Sequence, residues 1–228
     1  MTVLHLADDG EAADLAAFLA RLLRYDRGAA VRLQAAGTTL AVFGRPPSFE
    51  VLAVRAVRLA KPYEDGLEVQ LDVTVSAGEL LESVDESAAT AAVPATVTGP
   101  PWAGVLPPRA GWRPEPGLAA PDALRATVAA AVAEFRSRTE ELPAERRTRA
   151  ELDRIGREIW SRTVGDTGLP VRAVHAAQSL GFLRPAPQAS TEEPVALLSC
   201  GAWLRLRTPY GSIAVRRAGL GALNVSVR

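Results

Sequence analysis

Acid–base and nucleophilic chemistry has few residues to draw on in this chain. Among its 228 residues there are two histidines, His5 and His175, and one cysteine, Cys200. An imidazole titrates near neutral pH and a thiolate is a strong nucleophile, so a Cys200–His175 pair is the first chemistry to consider. Cys200, however, lies in the apolar run "LLSCGAW", where it reads as a small buried hydrophobe. No HxxxH, CxxC or HxH spacing occurs, so no metal site is expected. Phosphate-cradling glycine loops and the GxSxG and SxxK nucleophile patterns are also missing, and "GLG" at 219–221 reads as a turn. No cofactor is expected.

Carboxylate pairs are more numerous: Glu64 with Asp65, Glu79 with Glu82, Asp85 with Glu86, Glu140 with Glu141. They sit in polar stretches, whereas acid–base work needs carboxylates in perturbed surroundings. Glu68 and Asp72 share the wet face of one strand, with no partner evident from the sequence.

Two groups of residues suit binding better than catalysis. In "VRAVHAAQSL", Arg172, His175 and Gln178 recur every three residues on one helical face, away from Val174, Ala177 and Leu180. Arg205, Arg207, Arg216 and Arg217 follow on a hairpin. Arginine and glutamine read guanine and adenine edges, and arginine also neutralises phosphates. Two helices followed by a hairpin have the order of a winged helix, with helix 171–180 and hairpin 203–217 meeting DNA. The second group is Trp102 and Trp112, in "TGPPWAGVLPPRAGWRPEPG" at 98–117. That composition favours extended backbone. Each indole hides on the order of 150–250 Å² when buried, so the segment is expected to lie against a surface. It either straps across the protein's own body or docks the tryptophans on a partner.

The elements that must carry these residues follow from periodicity. Leu15, Phe18, Leu19 and Leu22 form one stripe of a helix over 11–25. "AVRLQA" and "TLAVFG" flank Gly37 as a hairpin, and "FEVLAVRAVRLA" resumes the strand pattern after "RPPS". Apolar and polar residues alternate through "LEVQLDVTV", the mark of a sheet with one buried and one wet face. After residue 120 come three helices, over 121–142, 144–163 and 171–183, with Pro143 separating the first two. The strands of "ALLSCGAWLRLR", "SIAVRR" and "ALNVSVR" follow. The expected fold is α+β. An acidic lobe at 1–86 combines a helix with an antiparallel meander. A Pro/Gly/Trp-rich connector spans 87–120. A basic lobe at 121–228 has three helices followed by antiparallel strands.

Charge follows that division. Residues 1–99 hold 8 Arg/Lys against 14 Asp/Glu, and residues 100–228 hold 18 against 12, so the net zero is −6 plus +6. Such asymmetry marks either a polyanion-binding half or two halves that attract each other. No apolar run reaches the ~18 residues of a membrane span, and the acidic N-terminus does not read as a signal peptide. One cysteine leaves no disulfide framework, so a cytoplasmic location is expected. These features suggest a non-catalytic interaction module (an adaptor, chaperone or assembly factor) whose partner is another protein or a second copy. The alternatives are a DNA-binding regulator and an enzyme that no motif reveals.

Overall fold

The computed structural model describes residues 2–65, 69–185 and 195–217. The chain begins with β1 (Val3–His5) and α1 (Asp9–Tyr25). Asp8 caps α1 by accepting the Glu11 N–H at 2.8 Å, and the acidic first turn complements the helix dipole. The stripe Leu15, Phe18, Leu19 and Leu22 is fully buried. β2 (Ala30–Ala36) and β3 (Thr39–Gly44) form the hairpin expected about Gly37. The prolines at 46 and 47 then force a single 3-10 turn, Pro47–Phe49, before β4 (Leu52–Arg58). β5 (Gln70–Ser76) keeps the alternation, with Leu71 and Val75 buried and Asp72 exposed; Leu67 and Glu68 lie outside the described residues.

α2 (Ala77–Glu82), β6 (Val84–Asp85) and β7 (Thr90–Ala92) follow. The Pro/Gly-rich stretch contains a 3-10 turn at Pro101–Gly104 and the short strand β8 (Arg113–Glu115). α3 (Pro121–Glu140) opens on its proline, which fits the first helical turn. α4 (Arg149–Trp160) starts later than its periodicity suggests. Thr148 caps it by accepting the Glu151 N–H at 3.3 Å, while residues 144–146 form a separate 3-10 turn. α5 (Val171–Ser179) is followed by β9 (Ala196–Cys200), β10 (Trp203–Thr208) and β11 (Gly211–Arg216). The strand expected over 222–228 lies outside the described residues.

Among the described residues all strand pairs are antiparallel, and the fold is α+β. A small sheet runs β1-β7-β6, and a large one runs β5-β2-β3-β4-β11-β10-β9-β8. β2, β3 and β4 form a meander, and β5 returns to the free edge of β2. β4 pairs with β11 through Leu52↔Ala214, Ala53↔Ile213 and Val54↔Ser212, so one sheet continues from the acidic half into the basic half. Charges of opposite sign meet across the same junction: Arg184 pairs with Asp14 at 2.6 Å. Arg55, buried under α1, binds Glu11 at 2.8 Å and the Tyr210 carbonyl at 3.0 Å.

The sheet has two apolar faces. The inner one, with Val31, Leu33, Leu40, Val42, Val57, Ile213 and Leu206, meets α1, α2 and α5, and α3 and α4 pack outside α5. The outer one gathers Phe43, Leu52, Val54 and Ala214 under Trp102, Leu106 and Trp203. No helix among the described residues is long and apolar enough to cross a membrane.

Candidate functional site

α5 owes its position to small side chains. Val171, Ala173, Val174, Ala176 and Ala177 are buried, letting the helix sit close to the inner sheet face and to α3. Its remaining face, which carries Arg172 and His175, forms one wall of a cleft of about 930 Å³. α4 and the 3-10 turn at 47–49 form other walls, and Tyr25 at the end of α1 and Phe135 on α3 complete the lining.

Five rings line up along it. Tyr25 meets Phe49 edge-on at 5.2 Å between centroids, and Phe49 meets His175 edge-on at 5.0 Å. His175 stacks on Trp160 at 4.7 Å, and Trp160 lies 6.1 Å from Phe135. Edge-to-face and offset contacts of this kind are the favoured aromatic geometries. Each ring comes from a different element, so the row exists only in the folded chain. Burial among these rings lowers the His175 pKa, which keeps the imidazole neutral at pH 7. α3 and α4 are held together by ion pairs: Arg138 to Glu158 at 2.7 Å and Arg162 to Glu134 at 2.8 Å. The Arg138 guanidinium brings the Glu158 carboxyl down to about 2.

Charged groups rim the cleft. Arg149 pairs with Asp153 at 3.6 Å, and Arg172 approaches Glu50 at 4.0 Å, beyond hydrogen-bond reach. The Arg172 Nε is buried and has no hydrogen-bond partner among the described residues. Glu50 has φ 51°, in the left-handed region that disfavours a side chain.

The expected nucleic-acid residues separate into two groups. Arg172 and His175 face the cleft, and Gln178 is exposed farther along α5. Arg205, Arg207 and Arg216 share the outer face of the sheet with Trp203 and Ala214, on the far side from α5. There Arg205 donates to the Ser212 hydroxyl at 2.9 Å and lies over Trp112 at 5.7 Å, while Arg216 lies over Trp203 at 5.2 Å. Burial, and then the neighbouring Arg207 charge, lower the Arg205 pKa. Arg217 pairs with Glu115 of β8.

Trp102 and Trp112 are both half-buried against the protein's own outer face. Trp102 packs on the Phe43–Leu52–Val54–Ala214 cluster, and Trp112 donates its indole N–H to the Pro108 carbonyl at 2.9 Å. Arg32 donates to the Ala103 carbonyl, tying the segment down. Between it and the sheet lies a second groove of about 350 Å³, lined by Gln34, Phe43, Asp72, Pro108 and Arg205 among others. Asp72, unpartnered in the sequence reading, binds Arg32 at 2.7 Å; that contact lowers its pKa, with Gln34 contributing at 3.1 Å. Cys200 is half-buried at the end of β9, its thiol 3.6 Å from the Ala110 carbonyl, whereas His175 lies in the cleft across the sheet. Among the described residues no group of three or more His, Cys, Asp or Glu is placed to hold a metal ion.

Sequence reasoning missed Tyr25, Phe49, Phe135 and Trp160. Scarcity was the available signal: the chain has 3 Tyr, 5 Phe and 4 Trp, twelve aromatic residues in all, and four of them gather here with one of the two histidines.

No curated protein and no solved structure matches the chain. Residues 1–104 match the model of a domain of unknown function, DUF8010. Residues 107–220 match that of another domain of unknown function, DUF8185. The second match spans 114 of the 228 residues, and on that half of its length the chain belongs to the DUF8185 family.

Proposed function

We propose that this protein is a non-catalytic interaction module that grips an apolar or aromatic side chain of a partner protein, or of a second copy, in the ring-lined cleft. The observation that carries the reading is the unbroken row Tyr25–Phe49–His175–Trp160–Phe135 along an open cavity. Binding pockets are typically apolar concavities of roughly 300–1,000 Å³ with a few polar groups, and aromatic anchors dominate interface energetics. The ion pairs between α3 and α4 keep those two walls in place, which lowers the ordering cost of binding. Duplex binding is less well supported, because Arg205, Arg207 and Arg216 lie across the sheet from Arg172 and His175. We place the module in the cytoplasm, on the grounds of its single cysteine, which leaves no disulfide framework.

A peptide-display selection on the full chain tests this. Selected peptides are expected to bind at least about tenfold more weakly to Gly156→Leu, which fills the cleft floor, and to Leu152→Glu, which charges its wall, a loss of ~1.4 kcal/mol. Circular dichroism is used to check that both variants fold. Peptides that bind both variants as well as the parent would place recognition elsewhere.

A further inference from the structure

The cleft's charges are less well matched than its rings. Among the described residues three guanidinium groups line it, Arg149, Arg157 and Arg172, against two carboxylates, Glu50 and Asp153. Arg149 pairs loosely with Asp153 at 3.6 Å along α4. Arg157 is exposed and makes no ion pair among the described residues. Among the described residues the buried Arg172 Nε has no hydrogen-bond partner, and the carboxylate of Glu50 stands 4.0 Å from it. An unmet buried donor on a cation is costly, and a native fold that keeps one calls for an explanation. A carboxylate arriving from outside could meet the guanidinium with two parallel hydrogen bonds. The Arg172 side chain keeps 25% of its surface exposed, on atoms other than the buried Nε, and it is there that an incoming carboxylate first meets it.

Resting on the binding reading above, we infer that the cleft recognises a segment in which an aromatic side chain stands beside a carboxylate. The ring joins the Phe49–His175–Trp160 row, and the carboxylate takes Arg172 from Glu50. His175 contributes no charge near neutral pH, since burial holds it in the neutral form. Arg157 at the rim adds a second cation to the approach path. Glu50 is then a competitor for Arg172, and the long contact between them is the resting arrangement that the ligand replaces.

The test uses the ¹⁵N-labelled full chain and three small probes: N-acetylphenylalanine, its neutral amide, and the cationic phenylalaninamide. The Trp160 indole N–H signal, assigned by its loss in Trp160→Phe, reports occupancy. The acid should bind about tenfold tighter than the amide, and the cation most weakly. Arg172→Gln should abolish the preference for the acid while leaving amide binding in place. Glu50→Gln should tighten the acid alone, a response that a merely structural Arg172–Glu50 contact would not give. Equal affinities for acid and amide, or a preference that survives Arg172→Gln, would overturn the carboxylate assignment while leaving an aromatic cleft. No Trp160 shift with any probe up to its solubility limit would overturn the binding reading itself, and this inference with it.

Discussion

Gly156 offers a sharp test of the cleft's construction. It sits inside α4, where glycine weakens a helix by about 1 kcal/mol relative to alanine because the unfolded chain loses more freedom. The position is buried, and a methyl built there would meet Trp160 at 3.5 Å and Phe135 at 3.6 Å, which are ordinary contact distances. Gly156→Ala therefore gains the helix term and adds up to about 0.8 kcal/mol from burying one methyl. The expected stabilisation is about 1–2 kcal/mol. For a chain of this length that corresponds to a Tm increase of roughly 2–8 °C. Differential scanning calorimetry at fixed pH and scan rate measures it. An unchanged or lower Tm would mean that the Trp160 and Phe135 rings press directly on the α4 backbone, and the space inferred between them would not exist.

Gly211→Ala should do the reverse. Its φ of 154° suits glycine, and a Cβ there would fall 2.6–2.8 Å from the Phe182 ring, which is itself stacked on Phe18 at 5.7 Å. A loss of about 2–4 kcal/mol in urea unfolding is expected. Trp102→Ala removes the half-buried indole over Phe43 and Val54; roughly 100 Å² of lost burial costs about 2–3 kcal/mol. A cost below ~0.5 kcal/mol would show that the 98–117 segment is not anchored by that ring. His175 gives stability a pH dependence. Its folded pKa lies below the unfolded value of 6.5, so the unfolded chain binds more protons between the two. That contribution is complete above about 6.5 and is lost as pH falls through the folded value. Denaturant midpoints measured from pH 8 to 5 should drop on the acid side, and His175→Gln should flatten that part of the slope.

Much of the local structure was legible in the chain itself. Wherever burial repeats with a fixed period, composition reveals it. The α1 stripe, the β2–β3 hairpin and the alternation in β5 all follow from side-chain spacing and turn chemistry. The indoles of the 98–117 segment lie against a folded surface because bare indole is costly to hydrate. The start of α4 was misplaced because helical periodicity runs on through residues 144–148 and only the Thr148 cap sets the boundary.

Only the tertiary structure decided which surfaces cover one another. The spacing of Arg172, His175 and Gln178 shows that they share a helical face, but not that α4 and the turn at 47–49 enclose part of it as a cleft. The hairpin arginines alternate with Leu204 and Leu206 as the sequence suggests, yet the side they occupy depends on β11 pairing with β4. That pairing joins distant parts of the chain and turns two strand sets into one sheet. Periodicity is a local property, imposed by backbone geometry within one element. The five-ring row and the long Arg172–Glu50 contact arise from contacts between elements, and those are chosen by packing the whole chain.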